Sequence, residues 1–198
     1  MPICRNLKLC FIHVPKTAGS SIEKALNWQG ANHLIGPLNK KYNVCPQHLY
    51  WSEIKEEIPE AENFLKFSVV RNPFDRLVSE YFYARQNKCR PNSFVDGLSF
   101  RDFVDKFLEL PDQERQFIFD RHLEPQVNFI EGCKNLNLFH FEYLEKCFSF
   151  LRSLGVVGGI PKINTSNHKN WNLYYDDKIS SKVYEFYAKD FEKLGYSI

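Results

Sequence analysis

The sequence predicts an α/β fold of three layers, with a mainly parallel central sheet flanked by helices. Three observations carry this expectation. Apolar runs at Leu9–Val14, Phe64–Val70 and Leu136–Phe141 have the length and the aromatic or β-branched content of buried strands. Segments with apolar residues at helical spacing follow each of them. Strands that alternate with helices pair in parallel and leave helices on both sheet faces.

The first run reaches Val14 and stops at Pro15. Lys16, Thr17, Ala18, Gly19, Ser20 and Ser21 follow, small and hydroxylated residues headed by a cation. Ile22, Ala25 and Leu26 then mark a helix expected from about Ser20 to Trp28. A loop wrapped over a helix start suits phosphate, because backbone N–H groups and the positive end of the helix dipole converge there. The loop is P-loop-like but not a Walker A sequence, which places its Lys after the second Gly. Here the Lys precedes the Gly.

Residues 32–43 read mostly as loop, with a short strand possible at His33–Ile35; Trp51–Ile58 reads as a short helix that Ser52 could cap and Pro59 ends. The strand Phe64–Val70 runs directly into Arg71-Asn72-Pro73. Asn72 is suited to cap a helix and Pro73 to begin it. Phe74, Leu77, Val78, Tyr81 and Phe82 form its apolar stripe, with Ser79 beside the stripe. Residues 86–98 read as polar loop. Ser99 with Asp102 makes a capping-box start for a helix carrying Phe100, Phe103, Val104, Phe107 and Leu108, ended by Pro111. Leu123–Ile130 is expected to be helical. A helix over Glu142–Leu154 points Tyr143, Leu144, Cys147, Phe148 and Leu151 inward and closes at Gly155. Asp176–Leu194 reads as one final helix.

Both Lys16 and Arg71 follow a strand, so both fall at the carboxyl edge of the predicted sheet, where ligands of such sheets sit. His13-Val-Pro-Lys-Thr-Ala-Gly-Ser-Ser21 resembles the 5′-phosphosulfate loop of sulfotransferases, most closely that of the Golgi-type carbohydrate sulfotransferases and their soluble bacterial-type relatives. These enzymes use 3′-phosphoadenosine 5′-phosphosulfate (PAPS). Ser68-Val-Val-Arg-Asn-Pro-Phe-Asp-Arg-Leu-Val-Ser-Glu-Tyr81 resembles the 3′-phosphate motif of the same family, which pairs an Arg with a Ser at this spacing. The pair maps to Arg71 and Ser79. Less specific resemblances cover Leu123–Ile130, with its Pro-Gln pair, Phe141–Leu144 and Tyr187–Tyr196. Arg71 could instead pair with a carboxylate such as Asp75, with Ser79 solvated.

The resemblance implies transfer of a sulfuryl group from PAPS to an acceptor hydroxyl, on a carbohydrate. Lys16 then neutralises the leaving phosphate, Ser20 and Ser21 hold the 5′-phosphate, and Arg71 with Ser79 holds the 3′-phosphate. Positioning and electrostatics dominate such chemistry. His48, between the two motifs, is the candidate base because an imidazole titrates near neutrality; Glu53 and Glu23 are fallbacks. His13 reads as a satisfied core histidine. Asn164–Trp171 resembles the late loop that closes over the nucleotide, where Ser166, His168 and Lys169 would reach phosphate or adenine. Lys40, Lys41, Arg85, Lys88 and Arg90 could attract an anionic acceptor or simply face solvent. No carboxylate cluster has clear metal-ligand spacing, so no metal is invoked. The alternatives are a P-loop nucleotide kinase or NTPase, and a non-catalytic nucleotide-binding protein.

Length and composition fit one globular domain over residues 1–198. Net charge is +2, from 26 Lys and Arg against 24 Asp and Glu, too small an excess for a dedicated nucleic-acid binder. Six scattered cysteines show no zinc or redox spacing and read as reduced thiols. No signal peptide or membrane-length apolar run appears. The expected location is the cytoplasm, or the Golgi lumen if the chain is trimmed. The acceptor and the oligomeric state are not legible.

Overall fold

The computed structural model describes residues 3–26, 35–86, 94–156 and 168–197. The chain divides into two compact units, Met1–Arg71 with Gln126–Asn164, and Asn72–Pro125 with Thr165–Ile198.

The first unit holds a four-stranded sheet of order β1-β2-β3-β4: Ile3–Cys4, Leu9–Ile12, Leu65–Val70 and Leu136–His140. The last three strands are parallel, as alternating strands and helices require. The two-residue β1, too short to show a period, pairs antiparallel with β2. Every residue of β2 is buried, and successive side chains enter opposite layers. Cys10 and Ile12 join Trp51 and Ile54 of α3 (Trp51–Glu57), Leu38 of α2 (Ile35–Tyr42) and Phe129 of α7 (Gln126–Ile130). Leu9 and Phe11 join Ile22 of α1 (Gly19–Ala25) and Cys147 and Leu151 of α8 (Leu144–Ser153). Helices therefore cover both faces of the sheet.

Several expectations need correction. Most of the segment read as loop at 32–43 is α2; residues 32–34, including most of the possible strand, lie outside the described residues. Pro37 sits in the helix's first turn, where its missing N–H costs little. Packing then outweighs weak propensity. Leu38 is buried, Lys41 Nζ meets Glu56 at 2.6 Å and Glu57 at 2.5 Å, and Tyr42 Oη donates to Glu57 at 2.7 Å. α3 starts one residue before the expected cap Ser52; Glu53 Oε2 accepts from Tyr50 N–H at 2.8 Å instead. Tyr143, expected inward, is 63% exposed just before α8.

The second unit is helical and aromatic. Asn72 Oδ1 accepts from Phe74 N–H at 2.9 Å, and Pro73 opens α4 (Pro73–Gln86) as its ring geometry favours. Ser99 and Asp102 form the expected reciprocal cap on α5 (Phe100–Glu109). Phe94 and Val95, read as polar loop, are buried in the same core as Phe103 and Phe119. Beyond Pro111, α6 (Asp112–Phe119) went unread, although Asp112 and Glu114 at its start suit the positive helix end. The expected final helix is two, α9 (Asp177–Phe186) and α10 (Ala188–Leu194). They divide at Tyr187, whose buried hydroxyl donates to Leu123 O at 2.7 Å, with the Arg76 guanidinium 5.4 Å from its ring centroid. Those anchors hold Tyr187 outside helical geometry, at φ −101° and ψ 21°.

Five described cysteines are free thiols. Burial pushes Cys10 and Cys147 up to about 12, so neither is a nucleophile at neutral pH. No helix among the described residues is long and apolar enough to cross a membrane.

Candidate active site

The register places the ends of the parallel strands together: Ile12 opposite Ser68, and Val70 opposite His140. The loop after β2, Arg71 after β3 and Phe141 after β4 therefore share one edge of the sheet. In the loop, Lys16 and Ala18 hold left-handed backbone angles, φ 69° and 70°. Such angles cost a residue with a side chain about 1–2 kcal/mol each, so surrounding contacts must impose them. Thr17 is fully buried, and its hydroxyl donates to Val14 O at 2.7 Å across the loop. Ala18 O accepts from Ser21 N–H at 3.0 Å and Ile22 N–H at 3.1 Å, which starts α1. The Thr17 hydroxyl proton is thus spent on closing the loop, leaving its backbone as the part that suits an anion. Where left-handed residues alternate with ordinary ones, successive backbone N–H groups can turn toward a common concavity, the usual backbone cradle for phosphate. Gly19 is demanded by space: a Cβ there would lie 1.8 Å from His13 Nε2. Ser20 is partly exposed and Ser21 buried on the first turn.

Arg71 is buried at the same edge. Its Nη1 donates to Lys16 O at 3.2 Å, and its guanidinium lies 4.2 Å from the Phe141 ring centroid. Its backbone is held from both sides by one side chain. Arg71 N–H donates to Gln126 Oε1 at 2.9 Å, and Gln126 Nε2 donates to Arg71 O at 2.8 Å. Gln126, fully buried, acts as a one-residue extension of the sheet ladder beyond the end of β3. In the sequence Leu123–Ile130 carried only a less specific family resemblance; the contacts reveal that its Gln126 fixes Arg71. Phe141, read as the last residue of the third strand and the first of a resemblance over Phe141–Leu144, lies just after β4.

The structure thereby brings the Lys16 loop and Arg71 into contact, and adds His48. That imidazole is buried in a short turn, Pro46–His48, with its ring centroid 5.2 Å edge-on from His13. Glu23, a fallback base, is already engaged: His13 Nδ1 lies 2.8 Å from its Oε1. Burial pushes the Glu23 carboxyl up, but the His13 hydrogen bond and charge outweigh it and bring the net value below 4.5. Glu53, the other fallback, caps the start of α3 by accepting from Tyr50 N–H.

Three further candidates belong to the second unit. Ser79 is 2% exposed on α4, so the solvated alternative does not hold for it. His168 stacks on Phe82 with centroids 5.7 Å apart and its Nδ1 is 2.8 Å from Lys169 O. Lys169 is exposed, and its N–H donates to Tyr174 Oη at 3.2 Å. Ser166 lies outside the described residues, as do Lys88 and Arg90. Of the other cations, Lys41 is paired with α3 and Arg85 Nη1 donates to Tyr81 Oη at 2.9 Å, so neither reads as a simple solvated charge.

The sulfotransferase family model matches residues 1–197. The chain belongs to the sulfotransferase family. No curated protein and no solved structure matches it. Family membership makes this sulfotransferase a transferase whose chemistry is sulfuryl transfer, and the family generally takes its sulfate from PAPS.

Proposed function

We propose that this sulfotransferase takes its sulfuryl group from PAPS and passes it to a hydroxyl of a carbohydrate, using residues 1–198 as one P-loop-like domain. The observation that supports the reading is the 3.2 Å hydrogen bond from Arg71 to the carbonyl of Lys16, which joins the two segments that resemble phosphate motifs. In this reading Lys16 neutralises the bridging oxygen as the S–O bond to the nucleotide breaks. The backbone of Thr17, Ala18 and Gly19, with Ser20 and Ser21, holds the 5′-phosphate. Arg71 and Ser79 hold the 3′-phosphate, and His168, Lys169 and Ser166 contribute from the late loop. His48 takes the proton that the acceptor hydroxyl loses as the new O–S bond forms. PAPS supplies the activated sulfuryl group and leaves as adenosine 3′,5′-bisphosphate.

The test is transfer of radiolabelled sulfate from PAPS to a panel of carbohydrate acceptors. Wild type labels at least one acceptor. Lys16→Ala lowers the rate about 10²–10³-fold, the usual effect of removing one preorganised transition-state charge contact, with the unfolding midpoint unchanged. Full activity in Lys16→Ala sinks the assignment. Magnesium-dependent ATP hydrolysis without sulfate transfer would support the kinase or NTPase alternative instead.

A further inference from the structure

We propose that His13 and Glu23 are positioning residues that set the shape of the Lys16 loop and thereby its affinity for the 5′ end of the donor. The inference rests on the reading of that loop as the PAPS site. His13 is the first residue after β2, and it is 4% exposed. Its ring is bounded on several sides. Phe11 stacks on it with centroids 5.4 Å apart, and His48 meets it edge-on at 5.2 Å. The Nε2 end abuts Gly19, where a Cβ would come within 1.8 Å. The Nδ1 end lies 2.8 Å from Glu23 Oε1.

Gly19 and Glu23 are four residues apart on α1, so they share one face of the helix, one turn above the other. The helix therefore grips the imidazole at both ends with two successive turns. The loop from Val14 to Ala18 is the segment spanned by that grip. Its left-handed Lys16 and Ala18 need an external constraint, and the grip fixes both ends of the arc at once. A carboxylate accepts hydrogen bonds and cannot donate, so the proton of this pair resides on Nδ1 and Nε2 faces Gly19. The lowered proton affinity of Glu23 agrees with an ionised partner. A histidine that only filled core volume would need neither a buried carboxylate nor a glycine cut away to admit it. The same ring carries the constraint to His48.

Glu23→Ala is compared with wild type for binding of adenosine 3′,5′-bisphosphate, and for KM with PAPS and with the acceptor. The expected result is a loss of about tenfold or more in bisphosphate affinity, of the size small misplacements of a site produce. KM for PAPS rises in parallel and KM for the acceptor stays within about twofold; a role confined to stability would leave both ratios unmoved. Glu23→Gln keeps an acceptor oxygen for Nδ1–H and restores most of the affinity. It serves as the measured variant, beside His13→Asn, if Glu23→Ala fails to fold. His13→Asn keeps a donor toward Glu23 but removes the ring beneath Gly19, so it binds more weakly than Glu23→Gln. Undiminished affinity in Glu23→Ala or in His13→Asn, with wild type binding, overturns the positioning role alone. A wild-type chain that binds no bisphosphate overturns this role together with the donor assignment.

Discussion

Among the described residues each compact unit holds a histidine–glutamate pair with a buried imidazole, and the two pairs have different surroundings. In the first unit His13 Nδ1 meets Glu23 at 2.8 Å, with Gly19 of the loop and His48 as neighbours. In the second unit His122 Nδ1 meets Glu80 at 2.7 Å. There the ring stacks on Tyr83, and Arg76 donates to His122 O at 2.9 Å and Glu124 O at 2.5 Å. Asp120 and Arg121, just before His122, both hold left-handed angles. Glu80 is completely buried, whereas the Glu23 side chain keeps 14% of its surface. One pair braces a strained turn within an aromatic core; the other braces a strained loop that carries a motif. On the proposed reading, the same chemical device serves stability in the second unit and ligand geometry in the first.

The comparison can be broken by removing each carboxylate. Glu80→Ala takes the carboxylate from a buried imidazole nitrogen and should cost up to about 3 kcal/mol, read by urea unfolding, with bisphosphate affinity of the folded fraction unchanged. A change in affinity as large as that of Glu23→Ala would erase the distinction. Gln126→Ala tests the brace on Arg71. It leaves a buried N–H and a buried C=O without their partner and should cost about 2 kcal/mol or more, with weaker bisphosphate binding as Arg71 shifts. Unfolding by urea and equilibrium binding separate the two effects.

The smallest effect is on pH dependence. The Glu23 carboxyl lies below its ordinary 4.5 in the folded chain, because the His13 hydrogen bond and charge outweigh burial. A lowered acid contributes stability that is complete above its unfolded value and lost as pH falls through its folded value. Wild type should therefore lose this increment below pH 4.5, and Glu23→Gln should show a flatter profile in that window. Identical profiles would mean that the pair carries no net charge coupling.

Much of the site was legible because it follows the strands. Lys16 and Arg71 were readable as a cation beyond a β-run, and Asn72-Pro73 as a helix start; the contacts bear out that placement. What could not be read depended on partners distant in sequence. Nothing local distinguishes Gln126 from another amide until its 55-residue reach to Arg71 is known. His13 looked like core filler because its partners, Gly19 and Glu23, fall in place only once α1 is folded against β2. The α2 helix was hidden by Gly36, Pro37 and Asn39, whose propensities are outweighed by the Lys41 and Tyr42 contacts to α3. The break at Tyr187 was hidden because the apolar spacing continues through it, while the hydroxyl that stops the helix binds Leu123.

The central claim is that Lys16 and Arg71 read two ends of one nucleotide. Its most direct test is the ratio of affinities for adenosine 3′,5′-bisphosphate and adenosine 5′-monophosphate, measured by titration calorimetry in wild type and Arg71→Ala. A charge-assisted contact contributes about 1.5–3 kcal/mol, so wild type should prefer the bisphosphate by roughly 10- to 150-fold. Arg71→Ala should lose that preference and keep its affinity for the monophosphate within a few-fold. An Arg71→Ala variant that discriminates as wild type does would contradict the account.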